Sequence, residues 1–517
     1  TSGTISGGYN NTLSNGATYA VVSGGTNNTT SATSSTVGGG NSNTASGSSS
    51  TIAGGNSNAA SAQNSTVGGG ISNNVSATSA TIGGGNSNSV AATHGTVSGG
   101  FSNAVTSAGN YATISGGNDN TASGVNSVIG GGTINNVSGL NAAIGGGTSN
   151  NASSNSATIA GGNSNAVSGN YGTISGGNNN TVTSTATYGT VSGGNNNTVS
   201  AQNATIPGGA NNTSSGNFST VTGGSDNIAN AQYSTTSGGF SNTTSGVNGT
   251  IAGGSNNSMQ ALSGAIGGGQ DNIISGTSTY SVIGGGRSNF SSGLNNFIGG
   301  GNTNRTTGNY STIVAGERNT VDGNYSHIGS GLQNKTTGNY STTGGGYIHF
   351  ITNDSSTIGG GSRDTITGRS STIGGGTDNF ISGNFSTNGG GHINDIFLSD
   401  SATIGGGARN VINDNSDAST IAGGMDNIMT TQAVASAIGG GRLNTVSNTS
   451  LYATIGGGER NTIDNADSAT ITGGSKNTIN NESDASSING GMDNTITTSA
   501  VASTIGGGRS NTITTNS

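Results

Sequence analysis

The chain has no cysteine, no tryptophan and a single proline, Pro207, in 517 residues. Without cysteine there are no disulfides and no thiolate metal sites, and the compartment stays open. Charged residues are 6% and hydrophobic residues 28% of the chain; an ordinary soluble domain has about 25% and about 45–50%. Large apolar side chains are too few for the thick-cored domains such a length suggests. Charge is too low for a disordered polyelectrolyte. No apolar run approaches the ~18 residues of a membrane-spanning helix, so no membrane insertion is expected of these residues. No secretory signal opens the chain, and Thr1 reads as a processed or trimmed start. All 11 Lys and Arg lie between Arg287 and Arg509 without forming the basic stripe of a nucleic-acid binder. Only Asp119, Asp226 and Asp271 are charged before Arg287, and the scattered charges read as solvated surface.

What is abundant is glycine, 102 residues, with no period of three, which excludes collagen. Instead a repeat fills the chain. Glycine clusters end at Gly8, Gly25, Gly40, Gly55, Gly70, Gly85 and Gly100 and continue to Gly491 and Gly508, giving 33 reference glycines. The commonest spacing is 15, the next 17, and from Gly391 onward the spacing is 16 or 17. Three residues before the reference glycine stands Ile or Val in 30 of 33 repeats, the exceptions being Thr236, Thr343 and Asn388. Four before is Thr in 24, and five after is apolar in 27. Three after is Asn in 31, with His349 and Asp364 the exceptions.

Helix does not fit, because each glycine costs about 1 kcal/mol in a helix and no 3.6-residue stripe exists. Short β-branched segments bounded by Gly, Asn and Ser are strand signals. The pattern therefore predicts an all-β parallel β-roll or β-solenoid of 33 rungs, each of 15–17 residues with two short strands. At about 4.7–4.9 Å per rung this is an elongated rod of roughly 155–160 Å. The glycines supply positive φ at a recurring turn. The Asn three residues on is expected to take a left-handed turn position and to stack into an amide ladder. A phosphate-binding loop would need a following helix and a Lys, which the repeats lack. Two buried Ile/Val side chains return roughly 3–6 kcal/mol per rung against roughly 15–30 kcal/mol of backbone entropy. A lone roll thus looks marginal, and the Ile column is expected to feed an interior shared by several chains, most simply three.

Ser-Thr-Ile-Gly-Gly-Gly-x-x-Asn-x-Ala-x-Gly resembles the head repeat of YadA-like trimeric autotransporter adhesins, Ala-Ile-Gly-x-x-Ser-x-Ala-x-Gly. Val37-Gly38, Asn43, Ala45 and Gly47 match it in order, with extra glycines and Asn mostly in place of Ser. The chain is also similar to Gly-Gly-x-x-Asn repeats of phage and viral fibres, as at Ala204-Thr205-Ile206-Pro207-Gly208-Gly209. The resemblance covers essentially the whole chain. It implies a left-handed parallel β-roll, homotrimeric, adhesive, and extracellular or on a virion surface. No heptad stalk, neck or terminal membrane barrel accompanies the repeats, so anchor and cap segments are either removed or foreign to the protein. Uncapped solenoid ends favour end-to-end stacking into a filament.

Three regions are expected: residues 1–286, nearly uncharged; 287–391, charged and Tyr-rich with a 15-residue period; and 392–517, with the longer period. In the last, Gly424-Met425-Asp426-Asn427 returns as Gly491-Met492-Asp493-Asn494, a duplicated four-rung block. The extra two residues of a 17-residue unit enlarge one turn and preserve strand parity. Asp400, Asp417, Asp467 and Asp484 lie near that turn, and with Arg409, Arg460 and Lys476 they read as edge charges that oppose sideways association. A Ca²⁺ site is the rival reading of the Asp residues.

Six before the reference glycine an aromatic residue stands in 12 repeats, among them Tyr310, Tyr325 and Tyr340 in consecutive rungs. These three are the candidate glycan-binding platform. If the strand reaches that far, they share a face with the Thr column. Covering of a turn by stacked rings is the plainer alternative. The four histidines occupy different columns with no paired nucleophile or acid, and no catalytic set, cofactor site or metal site is expected. The expected function is the structural or adhesive shaft of an extracellular fibre, contacting surface glycans. The alternatives are a virus or phage fibre and, behind these, an ice-binding Thr array or a polysaccharide-degrading tailspike.

Overall fold

The computed structural model describes residues 2–514; Thr1 and residues 515–517 lie outside it. Among the described residues there is no helix, and the 66 strands are two or three residues long. The chain forms two compact units that divide after Ser258, and each is an all-β parallel β-solenoid with two strands per rung.

In the first unit, Thr36–Val37, Thr51–Ile52 and Thr66–Val67 stack in parallel with like residues opposite, Thr36 on Thr51 and Val37 on Ile52. Thr44–Ala45 stacks on Ala59–Ala60 in a second sheet. A third column of single-residue bridges, Asn41 on Asn56 on Ile71, follows each reference glycine, a hydrogen-bonded row beyond the two strands that the repeat pattern indicates. The pleat turns one residue of each pair inward. Val37, Ile52, Val67 and Ile82 from one sheet meet Ala45, Ala60, Val75 and Val90 from the other, all 0% exposed.

The second unit has the same rung with a larger filling. Ile358, Ile373 and Ile404 face Ile351, Ile366, Ile381 and Ile396, again fully buried. Longer rungs carry an extra left-handed residue in the enlarged turn, as at Asn415 and Gln432, while Ile438 and Ile455 stay buried; the added pair of residues keeps the inward face inward.

Several polar intruders in the apolar columns are hydrogen-bonded inside, whereas the Thr30 and Thr306 hydroxyls are buried without a partner. The Thr236 and Thr244 hydroxyls are 2.8 Å apart and those of Thr336 and Thr343 3.0 Å apart. The Asn388 amide donates to the Asn394 carbonyl at 2.8 Å.

The Asn column does not take the left-handed position. That falls to the residue before it, Ser42 at φ 57°, and to the second turn, Ser34 at φ 60°. The Asn side chain instead points inward. Asn58 is 1% exposed. Its Nδ2 donates to Gly54 O in its own rung (3.0 Å) and Gly70 O in the next (2.9 Å), and its Oδ1 accepts the Asn73 N–H (3.0 Å). Backbone bonds run both ways along the stack. Thr36 N–H donates forward to Ser50 O (2.8 Å), whereas Ser34 and Ser42 N–H donate back to Thr18 O and Thr26 O (2.7 and 2.9 Å).

These ladders correct the expectation of an interior shared between chains. The Ile358 and Ile373 side chains are enclosed by their own chain. What the two-side-chain balance omits is that nearly every interior rung also buries an Asn, and many a Ser, hydrogen-bonded within the rung and to its neighbours.

Candidate functional site

The aromatic column lies where the chain reverses after the second strand, not on a strand. Strands are too short to reach it: Thr312–Ile313 is two residues long, and Tyr310 precedes it in the turn. Tyr310, Tyr325 and Tyr340 have φ of 56°, 54° and 56°. The expected common face with the Thr column is therefore corrected: the rings stand on the turn, and the Thr residues on the flat sheet beside it.

Each ring is held by a repeated Asn-Tyr-Ser unit. The N–H groups of Tyr325 and Tyr340 donate to Asn309 O and Asn324 O (2.8 and 2.9 Å). The Asn324 side-chain oxygen accepts the Asn309 N–H (2.8 Å), and the Asn339 oxygen accepts the Asn324 N–H (2.9 Å). Ser326 is buried; its Oγ donates to Gly338 O (2.7 Å) and accepts the Ser341 N–H (3.1 Å). The sequons Asn309-Tyr310-Ser311 and Asn324-Tyr325-Ser326 are thus committed to turn ladders.

On this base the rings stack face to face, with centroids 4.8 and 5.1 Å apart and planes within 1° and 2°. They are 49–64% exposed. Inner ring faces cover one another, so the stack offers a strip of ring edges and hydroxyls and two outward faces, on Tyr310 and Tyr340. Beyond them the column continues with the smaller Asn295 and Ser355. Stacking recurs along the column at Tyr171–Tyr188 (4.9 Å), Phe218–Tyr233 (5.1 Å) and His94–Tyr111 (4.7 Å, 2°). His94 stands six before Gly100 and belongs to this column, which a count of aromatic residues alone overlooks.

His349 and Asp364 form a pair that the sequence reading misses, having assigned His349 no acid. Both replace Asn in the buried ladder, in successive rungs, with side chains 0% exposed and His349 Nδ1 3.5 Å from Asp364 Oδ2. The Asp364 N–H donates to His349 Nδ1 (3.1 Å), so the neutral ring carries its proton on Nε2. That nitrogen faces the Gly361 carbonyl, where other rungs receive the Asn amide, without closing a hydrogen bond. Burial pushes the His349 pKa down, opposed by Asp364, and pushes the Asp364 pKa up. Full burial keeps any substrate away; the pair is an element of the ladder.

The signs give a test. A histidine less basic in the fold than in the unfolded chain loses stability as pH falls through about 6.5. A carboxyl with a raised pKa contributes stability below about 3.9 that is lost as pH rises. Asp364→Asn, which leaves His349 alone, is expected to lose stability on acidification from pH 7.5 to 5. His349→Asn, which leaves Asp364 alone, is expected to gain stability as pH falls toward about 3.9. The double variant, with Asn throughout the ladder, is the reference. Urea midpoints at these two pH values and at about pH 4 measure this, and slopes of the same sign for the two single variants would refute it.

The Asp residues at the enlarged turns act as ladder acceptors. Asp417 Oδ1 accepts the Asp400 N–H (2.8 Å), and Asp484 Oδ1 accepts the Asp467 N–H (2.7 Å). Arg363 and Arg409 pair across rungs with Asp378 and Asp426, bidentate at 2.5–2.9 Å, and hold those carboxyls below the usual range. Among the described residues no group of three or more His, Cys, Asp or Glu is placed to hold a metal ion, and no helix is long and apolar enough to cross a membrane. No protein-family model and no curated protein sequence matches the chain.

Proposed function

We propose that the chain is a structural segment of an extracellular fibre, on a cell surface or a virion. The observation that carries this reading is the buried Asn ladder. Each rung completes the hydrogen bonds of its neighbours, so identical thin rungs add in series without a growing core. The similarity of the repeat to YadA-like heads and to phage fibre repeats supports placement outside the cell. Immunogold labelling of the producing cells or particles tests it. Label on external filaments is expected, and label confined to the interior would reject the reading.

A second role, contact with surface glycans, is favoured by the Tyr310–Tyr325–Tyr340 stack. Two exposed outward ring faces and a line of hydroxyls suit a sugar's apolar face and its hydroxyl rim. On a glycan array, Tyr325→Ser/Tyr340→Ser is expected to lower binding by about tenfold or more with an unchanged circular dichroism spectrum. If the native chain binds no glycan, or the variant binds as well, the platform is rejected.

A further inference from the structure

We infer that the outer face of the first-strand sheet in the second unit is where a second copy of this chain docks, sheet on sheet. Charge placement carries the inference. Apart from Asp119 and Asp226, all Asp, Glu, Lys and Arg residues follow Met259. None occupies either outward column of this face, four and two residues before the reference glycine, in any of its 16 rungs. The other outward surfaces do carry charge. Arg305, Lys335 and Asp395 stand on the outer face of the second strand, and the turns hold the Arg363–Asp378 and Arg409–Asp426 pairs.

The face is also flat. Its first column is Thr in ten rungs and its second is Gly in twelve. The departures include the exposed apolar Phe297 (42%) and Val314 (46%) and one titratable residue, the half-buried His327. A surface kept merely soluble has no reason to exclude charge from one face and admit it on the rest. A face meeting a different protein can carry charges matched by opposite ones. A face meeting its own copy across a two-fold axis sets like residues near like, so any charge there is either desolvated or repelled. Exclusion of every Asp, Glu, Lys and Arg is what self-pairing requires. A strip about 10 Å wide along 16 rungs at about 4.8 Å each is roughly 800 Å² per partner, the size of a standard stable interface. The charge-free face of the second unit serves one neighbour, and three such flat faces around a three-fold axis would enclose a channel instead of touching. A pair is the closed solution.

The pairing does not depend on glycan binding or on location outside the cell, and its test is independent of both. The unmodified 517-residue chain is expected to sediment at twice 49.3 kDa. Thr357→Lys/Thr387→Lys/Thr420→Lys, on alternate rungs of the face, is expected to raise the dissociation constant about 100-fold or more. Thr365→Lys/Thr445→Lys/Thr478→Lys, the same charges on the second-strand face, should change it less than about threefold. Circular dichroism of both variants reports whether the rungs still form. A native monomer, a trimer, an unchanged dimer in the first variant, or equal dissociation in both would overturn the inference. So would a native monomer that shows thermal hysteresis, which would assign the face to ice.

Discussion

Asn427→Leu is expected to cost about 2–6 kcal/mol and to open the second unit locally. Asn427 is 0% exposed. Its Nδ2 donates to Gly423 O and Gly441 O, both at 3.0 Å, and its Oδ1 accepts the Asn444 N–H at 3.1 Å. Leucine leaves the buried Asn444 N–H without a partner, at about 1–3 kcal/mol, and removes two amide bonds worth about 0.5–1.5 kcal/mol each. Because each rung touches only its neighbours, the loss stays local. Hydrogen exchange is the direct readout: the Asn444 amide and those of the flanking rungs should lose protection, while distant rungs keep theirs. Asn427→Asp, which retains the acceptor, should fall between the two. Full protection at Asn444 in the leucine variant would show that the ladder contributes little.

Gly147→Ala is expected to be almost as damaging, at about 2–5 kcal/mol, although its neighbour Gly146→Ala should cost less than about 0.5 kcal/mol. Gly147 has φ +89°, and a Cβ there would run into the Gly162 carbonyl of the next rung and lie 2.6 Å from Asn150 Nδ2. Left-handed backbone costs an alanine about 1–2 kcal/mol, and the collision with a fixed backbone adds about 1–3 kcal/mol. At Gly146 a Cβ meets nothing within 4 Å. Paired denaturation curves of the two variants test the contrast. If both shift alike, the reference glycine is not the constrained one.

The period, the inward Ile column and the stacking of Asn into a ladder are legible in the sequence because each is a residue type that recurs at one phase, whereas the inward turn of the Asn side chain is not. Nor are the left-handed positions. One is filled by Ser42, Asp119, Arg363 and even the β-branched Ile134, at φ 55–57°. The conformation there is imposed by bonds to the adjacent rung, not by local preference, so the residue type carries no mark of it. The Tyr310, Tyr325 and Tyr340 column is visible as a phase, but its placement on a turn depends on strands of only two residues, shorter than usual strand signals suggest. His349 and Asp364 lie 15 residues apart. Their pairing can be read only once the rung register is known, since both are departures at the same phase of successive repeats. The adequacy of a single chain as its own interior was hidden for a related reason: apolar content measures only part of what fills a rung, and the buried amides and hydroxyls supply the rest.

The two-way backbone bonding of the rungs has an electrostatic consequence. Thr36 N–H points to the following rung, and Ser34 and Ser42 N–H point to the preceding one. In an α-helix all peptide dipoles align, and partial charge accumulates at the termini. Here neighbouring peptide dipoles oppose one another along the stacking direction, as in sheets generally. The field at a terminal rung is therefore set by that rung and its neighbours, however many others are stacked behind it. Rungs can be duplicated, as the Gly424-Met425-Asp426-Asn427 block and its copy at Gly491-Met492-Asp493-Asn494 show, without changing the polarity that either end presents.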